Sequence, residues 1–522
     1  MDENTRVTKA AGVVGAATFL SRIFGFVRDV VIAAYFGAGM SSDAFFVAFR
    51  IPNLLRRLFA EGSLSIAFVP VFTEYLTQKG RQEAFRLARA AVWALSFVVA
   101  LAAVLGIVLA PLIIRIIAPG FVDDPAKFAL TVSLTRLTFP YIFFICLVAL
   151  SMGILNTLGH FAAPALAPVL LNLAMITAAV VLSPHLENPV YGLAYGVLVG
   201  GVLQLALQVP FLVRKGVFFW QRASLRHPGL KKIGWLMLPA IFGAAVYQIN
   251  ILVGTLLASL LPEGSVSYLY YADRLVQFPL GIFAIAMATA VLPSISRQAA
   301  QKNFKAVEAT FGHAMRLVLF ITMPAMVGLI VLREPIVALL FKRGAFDLRN
   351  VQLTAQALLY YGVGLWAFSA VRVVVATFYA LQDTRTPVRV AVIAVAANII
   401  LGVVLMRYLA HGGLALATSL SSMLNLILLL AALSKRLGRL HLSQITGAAF
   451  KTVFCSAAMG VVVWAMAQAI IPDLDCGIMP LFWGLAGTIL AGMVIYGAFA
   501  FVFKSGEMGL IIEAARRSIG SR

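Results

Sequence analysis

Residues 480–503 run for 24 residues without one charged side chain. The same pattern recurs along the whole chain, with apolar stretches of roughly 20 residues or more joined by short polar turns. Wound as an α-helix, about 20 apolar residues match the hydrocarbon core of a bilayer. A bilayer has no water to satisfy backbone N–H and C=O groups, so only helices and closed barrels can cross it. The short alternating strands of a barrel are missing, and the chain reads as an all-α polytopic membrane protein. Composition agrees: of 522 residues, 62% are hydrophobic and only 12% charged, with a mean hydropathy of +0.97. Soluble domains carry roughly 25% charged residues, and half that density leaves too little polar surface for a water-exposed globule. A disordered chain and a large extramembrane catalytic domain are excluded on the same ground.

Marking spans at bilayer length gives about fourteen: residues 10–37, 43–72, 84–117, 126–158, 162–183, 190–213, 233–261, 267–296, 307–332, 351–381, 386–408, 412–434, 444–471 and 480–503. The first ten residues are polar and carry Arg6 and Lys9. The apolar stretch that follows lacks a short hydrophobic region with a cleavage site, so it reads as a retained first helix. Turn-like connections such as Gly37-Ala38-Gly39, Pro184 to Pro189 and His411-Gly412-Gly413 are too short to fold by themselves. Of the 41 Lys and Arg residues, 22 fall on the N-terminus, the even-numbered loops and the C-terminal tail, and 7 on the odd-numbered loops and their helix ends. Basic loops stay on the cytoplasmic side, so both termini are expected there. The formal net charge of +21 partly reflects this bias and requires no nucleic-acid partner.

An internal duplication is visible. Ala48-Phe49-Arg50-Ile51 and Leu58-Phe59-Ala60 recur as Ala272-Asp273-Arg274-Leu275 and Ile282-Phe283-Ala284, an offset of 224. Pro111-Leu112-Ile113 with Gly120 recurs as Pro335-Ile336-Val337 with Gly344, and Leu158 with Pro164 recurs as Leu381 with Pro387. Six spans separate each segment from its copy, and an even number gives both copies the same orientation, as in transporters built from parallel repeats. The expected organisation is an N-terminal lobe of six spans over 1–215, a second over 216–440, and two further spans with a cytoplasmic tail over 441–522. Two such lobes around a midplane cavity imply alternating access.

The remaining 12 basic residues lie inside or at the edges of spans: Arg22, Arg28, Arg50, Arg56, Arg57, Arg86, Arg89, Arg136, Arg274, Arg316, Arg372 and Lys451. A cation at mid-helix costs at least roughly 2.5–3.5 kcal/mol unless it meets a partner or a wet cavity. The density is greatest in the first two spans, where Arg22, Arg28 and Asp29 are followed by Arg50, Arg56 and Arg57. At about 100° per residue, Arg22 and Asp29, seven apart, nearly share a face while Arg28 lies about 120° from Arg22, so Arg28 is expected to face the cavity and Asp29 to support a neighbouring arginine. Gly25 and Pro52 are places where these helices could bend. Few acids match this set, chiefly Asp29, Asp43, Glu61, Asp273 and Asp383. Uncompensated arginines around a cavity call for an anionic ligand, and their planar fork suits phosphate or pyrophosphate. Arg57 can instead pair with Glu61 at i,i+4, and Arg86 and Arg89 can snorkel to the interface.

Other chemistry is thinly represented. Cys146, Cys455 and Cys476 form no disulfide or zinc pattern, and the six histidines are scattered. Gly200-Gly201 suits close helix packing better than phosphate binding. No P-loop and no acidic cluster for Mg²⁺-diphosphate is present, so neither metal nor cofactor is expected.

The stretch Ser21-Arg22-Ile23-Phe24-Gly25-Phe26-Val27-Arg28-Asp29, then Gly37-Ala38-Gly39, then Asp43 through Arg57 and Phe59-Ala60-Glu61-Gly62 resembles the MurJ (MviN) family. Tyr270-Tyr271-Ala272-Asp273-Arg274-Leu275 and Gln382-Asp383 to Thr386-Pro387 fit the same pattern, and the likeness runs from about residue 10 to 440 before loosening in the last two spans. The resemblance implies a bacterial lipid II flippase of the MATE-like exporter superfamily with fourteen spans. Such proteins carry the undecaprenyl-pyrophosphate-linked disaccharide-pentapeptide to the outer leaflet of the cytoplasmic membrane. The family's cavity arginines correspond to Arg22, Arg28, Arg56 and Arg274, and its acidic residues to Asp29, Asp43 and Asp273; Arg50 joins them as a supporting charge. The last two helices are implied in a groove for the lipid tail.

The expected partners are lipid II, membrane lipids and other cell-wall synthesis proteins, with transport rather than catalysis as the activity. Two alternatives differ in chemistry. A MATE-like exporter of organic cations would want an acidic cavity, and this one is basic. A membrane-embedded enzyme acting on polyprenyl phosphates would need a converging acid/base pair or metal carboxylates, for which Asp29 with Asp273 is the one candidate.

Overall fold

The computed structural model describes residues 3–57, 64–219, 221, 224–438, 442–471, 473–475, 477–503 and 505–509. Among them every regular element is a helix. The first half contains α1 (Glu3–Phe36), α2 (Met40–Leu55), α3 (Leu64–Gln78), α4 (Gly80–Val108), α5 (Ala110–Ile117), α6 (Pro125–Thr138), α7 (Tyr141–Thr157), α8 (Ala162–Thr177) and α9 (Tyr191–Arg214). The chain continues with α10 (Pro228–Ser259), α11 (Ser265–Pro279), α12 (Ile285–Ala300), α13 (Phe304–Val331), α14 (Arg333–Phe341), α15 (Leu348–Val363), α16 (Leu365–Ala380), α17 (Arg385–Leu437), α18 (Leu442–Ile470) and α19 (Ile478–Val502).

The duplication seen in the residues recurs in the elements. From α2 to α11, α4 to α13, α5 to α14, α6 to α15, α7 to α16 and α8 to α17, the starting residues differ by 223 to 225. The copies share even the short α5 and α14 that follow a long helix.

Nine helices among the described residues are long and apolar enough to cross a membrane, or ten if the bent pair α15–α16 is one span. The difference from fourteen falls in four places, one of them α10, of which only the short apolar stretch Gln248–Ser259 is found among the described residues. Helix α1 is 34 residues long but carries Arg22, Arg28 and Asp29. The second expected span is divided into α2 and α3, with residues 58–63 between them outside the described set. The eleventh and twelfth expected spans form the single element α17, interrupted at Ala410, whose φ of 47° and ψ of −130° are not helical. The backbone there doubles back so closely that a side chain on Gly413 would lie 2.3 Å from the Leu405 carbonyl oxygen, and only glycine fits.

Two compact units are distinguishable by packing, one of residues 1–267 with 343–346, the other of residues 268–342 with 347–522. In the first, α8 lies against α1 and α9, α7 against α9, α2 against α6, and α3 against α4, α7 and α10. Its core gathers Phe68, Phe72, Tyr75, Leu87, Leu150 and Leu212. Gly200 and Gly201 sit at the centre of this packing, where added Cβ atoms would fall 2.7 Å from Leu171 and 2.9 Å from Tyr141. In the second unit α13 packs on α16 and α18, α16 on α17, and α18 on α19, around Phe311, Met315, Val373, Phe378 and Leu429.

Some polar side chains inside these helices are satisfied locally. Thr131, Thr135 and Thr138, all buried, return their hydroxyl hydrogens to the carbonyls of Lys127, Thr131 and Leu134, which avoids the cost of an unbonded hydroxyl in an apolar medium. The starts of α6, α13 and α15 are capped by side chains: Asp124 accepts from the Ala126 and Lys127 N–H groups, Asn303 from Ala306, and Asp347 from Asn350.

Candidate anion-binding site

Helix α1 places Ser21, Gly25 and Arg28 on one stripe, because positions i, i+4 and i+7 share a helix face. Asn172 of α8 lies along that stripe. Its Oδ1 accepts from Arg28 Nη1 at 3.1 Å and its Nδ2 donates to the Ser21 carbonyl at 3.2 Å. Asp29 completes the arrangement, with Oδ1 accepting from Arg28 Nε at 3.1 Å and from Nη2 at 2.7 Å. Arg28 is 8% exposed and Asp29 1%. The adjacent carboxylate thus supports Arg28 itself rather than a different arginine. The two Cα–Cβ bonds diverge by about 100°, but the long arginine stem carries its guanidinium round to the neighbouring acid. Arg22, one residue beside the stripe, is exposed.

At the start of α2, Asp43 collects four hydrogen bonds. Its Oδ2 accepts from Lys127 Nζ at 2.9 Å and from the Gly264 N–H at 2.8 Å. Its Oδ1 accepts from the Ser267 N–H at 2.9 Å and the Ser267 hydroxyl at 2.7 Å. Asp43 is 1% exposed, and the Lys127 ammonium also lies 4.2 Å from the centre of the Phe121 ring, a cation–π contact. Glu263, in the turn before α11, answers in kind, its Oε1 accepting from the Met40 N–H at 2.6 Å. Asp43 is therefore a fully engaged organiser of this end of the first unit.

Farther along α2, Arg50 and Arg56 are half-buried. Arg56 directs Nε and Nη2 at one acceptor, Asn53 Oδ1, at 3.0 and 2.9 Å. The pairing expected between Arg57 and Glu61 lies outside the described residues. In the second unit, Arg274 lies over the Tyr270 ring at 5.7 Å, and Asp273 accepts from Gln277 Nε2. Arg86 pairs with Glu83 at 3.1 Å, Arg89 bonds Gln221, and Arg316 pairs with Glu507 at 3.3 Å.

Asp383 serves structure. Its carboxylate accepts from the Arg385 and Thr386 N–H groups and the Thr386 hydroxyl at the start of α17, and pairs with Arg436 at 2.5 Å. The Thr386 N–H, ahead of the other contacts, holds this carboxyl below the usual aspartate range.

The partners that sequence reasoning missed are Asn172, Lys127 and Glu263. Asn172 did carry a signal, being the single amide in a run from Ala162 to Val181 that is otherwise apolar apart from Thr177.

Residues 32–483 match the family model described as lipid II flippase MurJ. The chain belongs to the MurJ family. A probable lipid II flippase MurJ of Vibrio cholerae serotype O1 is 41% identical over 506 residues, which cover 95% of each chain. A solved structure of a lipid II flippase MurJ in an inward closed conformation superposes with a TM-score of 0.79 at 29% identity, covering 94% of this chain and 98% of the other. An inward-facing MATE-family multidrug transporter of the MOP superfamily gives a TM-score of 0.67 at 18% identity, covering 82% of this chain and 98% of the other, a likeness of fold alone. The protein is thus a multi-pass membrane protein of a bacterial MurJ family with a MATE-like helical fold, and the buried Arg28 lies just ahead of the segment that the MurJ model covers.

Proposed function

We propose that this chain flips lipid II from the cytoplasmic to the outer leaflet of the bacterial cytoplasmic membrane, for peptidoglycan synthesis. Membership of the MurJ family along most of the chain supports the substrate. The observation that carries the chemistry is Arg28, a guanidinium buried within α1 and gripped from two helices. Asp29 offsets the cost of holding this cation in a span, and the guanidinium fork matches the paired oxygens of a pyrophosphate. Arg22, Arg56 and Arg274 are its companions in this reading, with Asp29, Asp43, Arg50 and Asp273 in support. Transport proceeds by alternating access of two six-span lobes, 1–215 and 216–440, with the spans of 441–522 beside the lipid tail. Both termini are cytoplasmic, the lipid leaves chemically unchanged, and other cell-wall synthesis proteins are partners. Proteoliposomes with fluorescent lipid II in one leaflet test this: the label should change leaflet with its chemical form intact. Altered lipid without movement would establish an enzyme instead.

A further inference from the structure

The stripe Ser21, Gly25 and Arg28 is filled by one side chain from another helix, and the chemistry of that side chain is specific. Asn172 is 6% exposed and uses both ends of its amide, accepting from Arg28 Nη1 and donating to the Ser21 carbonyl. Aspartate could accept but not donate, while leucine, its apolar isostere, could do neither. Asp29 holds the Nε edge of the guanidinium from within α1. That contact comes from the arginine's own helix. Asn172 fixes the Nη1 corner from α8, a reference 144 residues away, and its neutrality adds no charge that would repel an anion.

We propose that Asn172 is a positioning residue for the anion site, orienting the Arg28 guanidinium and locking α8 to α1 at Ser21. The inference rests on the reading of Arg28 as a pyrophosphate ligand. Through this amide, substrate recognition on α1 depends on the α1–α8 contact, so displacement of α8 would release Arg28 from its orientation.

The test is a double-mutant cycle on the full-length protein in proteoliposomes, using lipid II, with R28A, N172A and N172A/R28A. N172A should raise the half-saturating lipid II concentration on the order of tenfold, the scale of a hydrogen bond to a charged group, with the maximal flipping rate within about twofold. Beside R28A the N172A loss should shrink to well under tenfold, because only the Ser21 contact is then left for the amide to lose. Losses that multiply in the double variant, or an unchanged half-saturation in N172A, would overturn the positioning role while leaving Arg28 a ligand. An unchanged R28A would remove the anion-site reading beneath it. N172D supplies a second variant of nearly the same volume: it keeps the acceptor for Arg28 but loses the donor and adds a carboxylate, so its half-saturation should rise at least as far as that of N172A. Half-saturation unchanged in a folded N172D overturns the inference independently of how N172A behaves.

Discussion

Asp43 hydrogen-bonds to the residue that the internal repeat makes its own counterpart, Ser267, 224 positions along the chain. The neighbouring bonds obey the same interval: Met40 and Gly264, also 224 apart, each donate a backbone N–H to an acid from the other segment, Glu263 and Asp43. Both contacts lie within the first unit, where residues 39–43 meet 263–267. Each acid satisfies N–H groups at a helix start, where orphan donors and the positive end of the helix dipole favour a carboxylate.

Removing the Asp43 carboxylate should be far more damaging than removing the charge pair altogether. D43A leaves the Lys127 ammonium buried without its counter-ion, a loss of about 3–5 kcal/mol. D43A/K127A should recover part of that loss, read as the thermal midpoint of the purified protein in detergent. Equal midpoints for the single and double variants would mean that the 2.9 Å contact carries no coupling.

Asp383 gives a pH dependence of known sign. The N–H of Thr386 chiefly, with its hydroxyl, Arg436 and the Arg385 N–H, lowers the folded-state pKa against a smaller opposing effect of burial. A lowered carboxylate pKa means stabilisation that is complete above the unfolded value of about 3.9 and is lost as pH falls through the lower folded value. D383A should therefore destabilise by about 0.5–2 kcal/mol at neutral pH, the range of a lost helix cap. The gap to the parent protein should close only below about pH 4. A gap that narrows already between pH 8 and pH 6 would point to some other titrating group.

The charge distribution predicts sidedness. Glu187 and Asp473 lie in loops expected outside, Ser224 in the basic loop expected inside, and all three are exposed. In a cysteine-free background, cysteine at 187 or 473 should react with an impermeant maleimide added to intact spheroplasts, and cysteine at 224 only after lysis. Labelling at 224 before lysis would invert the topology.

Hydropathy made the helical class legible, and the matching segments around Arg50 and Arg274 made the duplication legible, because both can be read from residue identities in order along the chain. The partners of the charged residues were not. Nothing in local periodicity joins Asp43 to Lys127 or Arg28 to Asn172, contacts spanning 84 and 144 residues. Helical-wheel reasoning also placed Arg28 and Asp29 on diverging faces, since it follows Cβ directions and ignores where a long flexible stem ends. Asn172 was the reachable clue: an amide in an apolar span must find a partner, and a buried arginine on another span is such a partner.

The final prediction separates recognition of geometry from supply of charge. Arg28 spreads Nε, Nη1 and Nη2 over Asp29 and Asn172, and Arg56 turns two nitrogens to Asn53. A lysine keeps the charge, but its compact ammonium cannot hold these acceptors and also present paired N–H groups to a pyrophosphate. Alanine at Arg28, Arg56 or Arg274 should abolish complementation of a strain depleted of its own flippase, at unchanged protein level, and lysine should restore growth only in part. Each charged hydrogen bond lost is worth about 1.5–3 kcal/mol, at least roughly tenfold in apparent affinity. Arg86 is the control, since its partner Glu83 is a surface contact with the arginine side chain 58% exposed. Exposed pairs contribute little, and R86K should grow normally. Growth and lipid II transport at parental levels with alanine at all three positions would eliminate the anion site and leave the helical fold, the repeat and the Asp43 junction untouched.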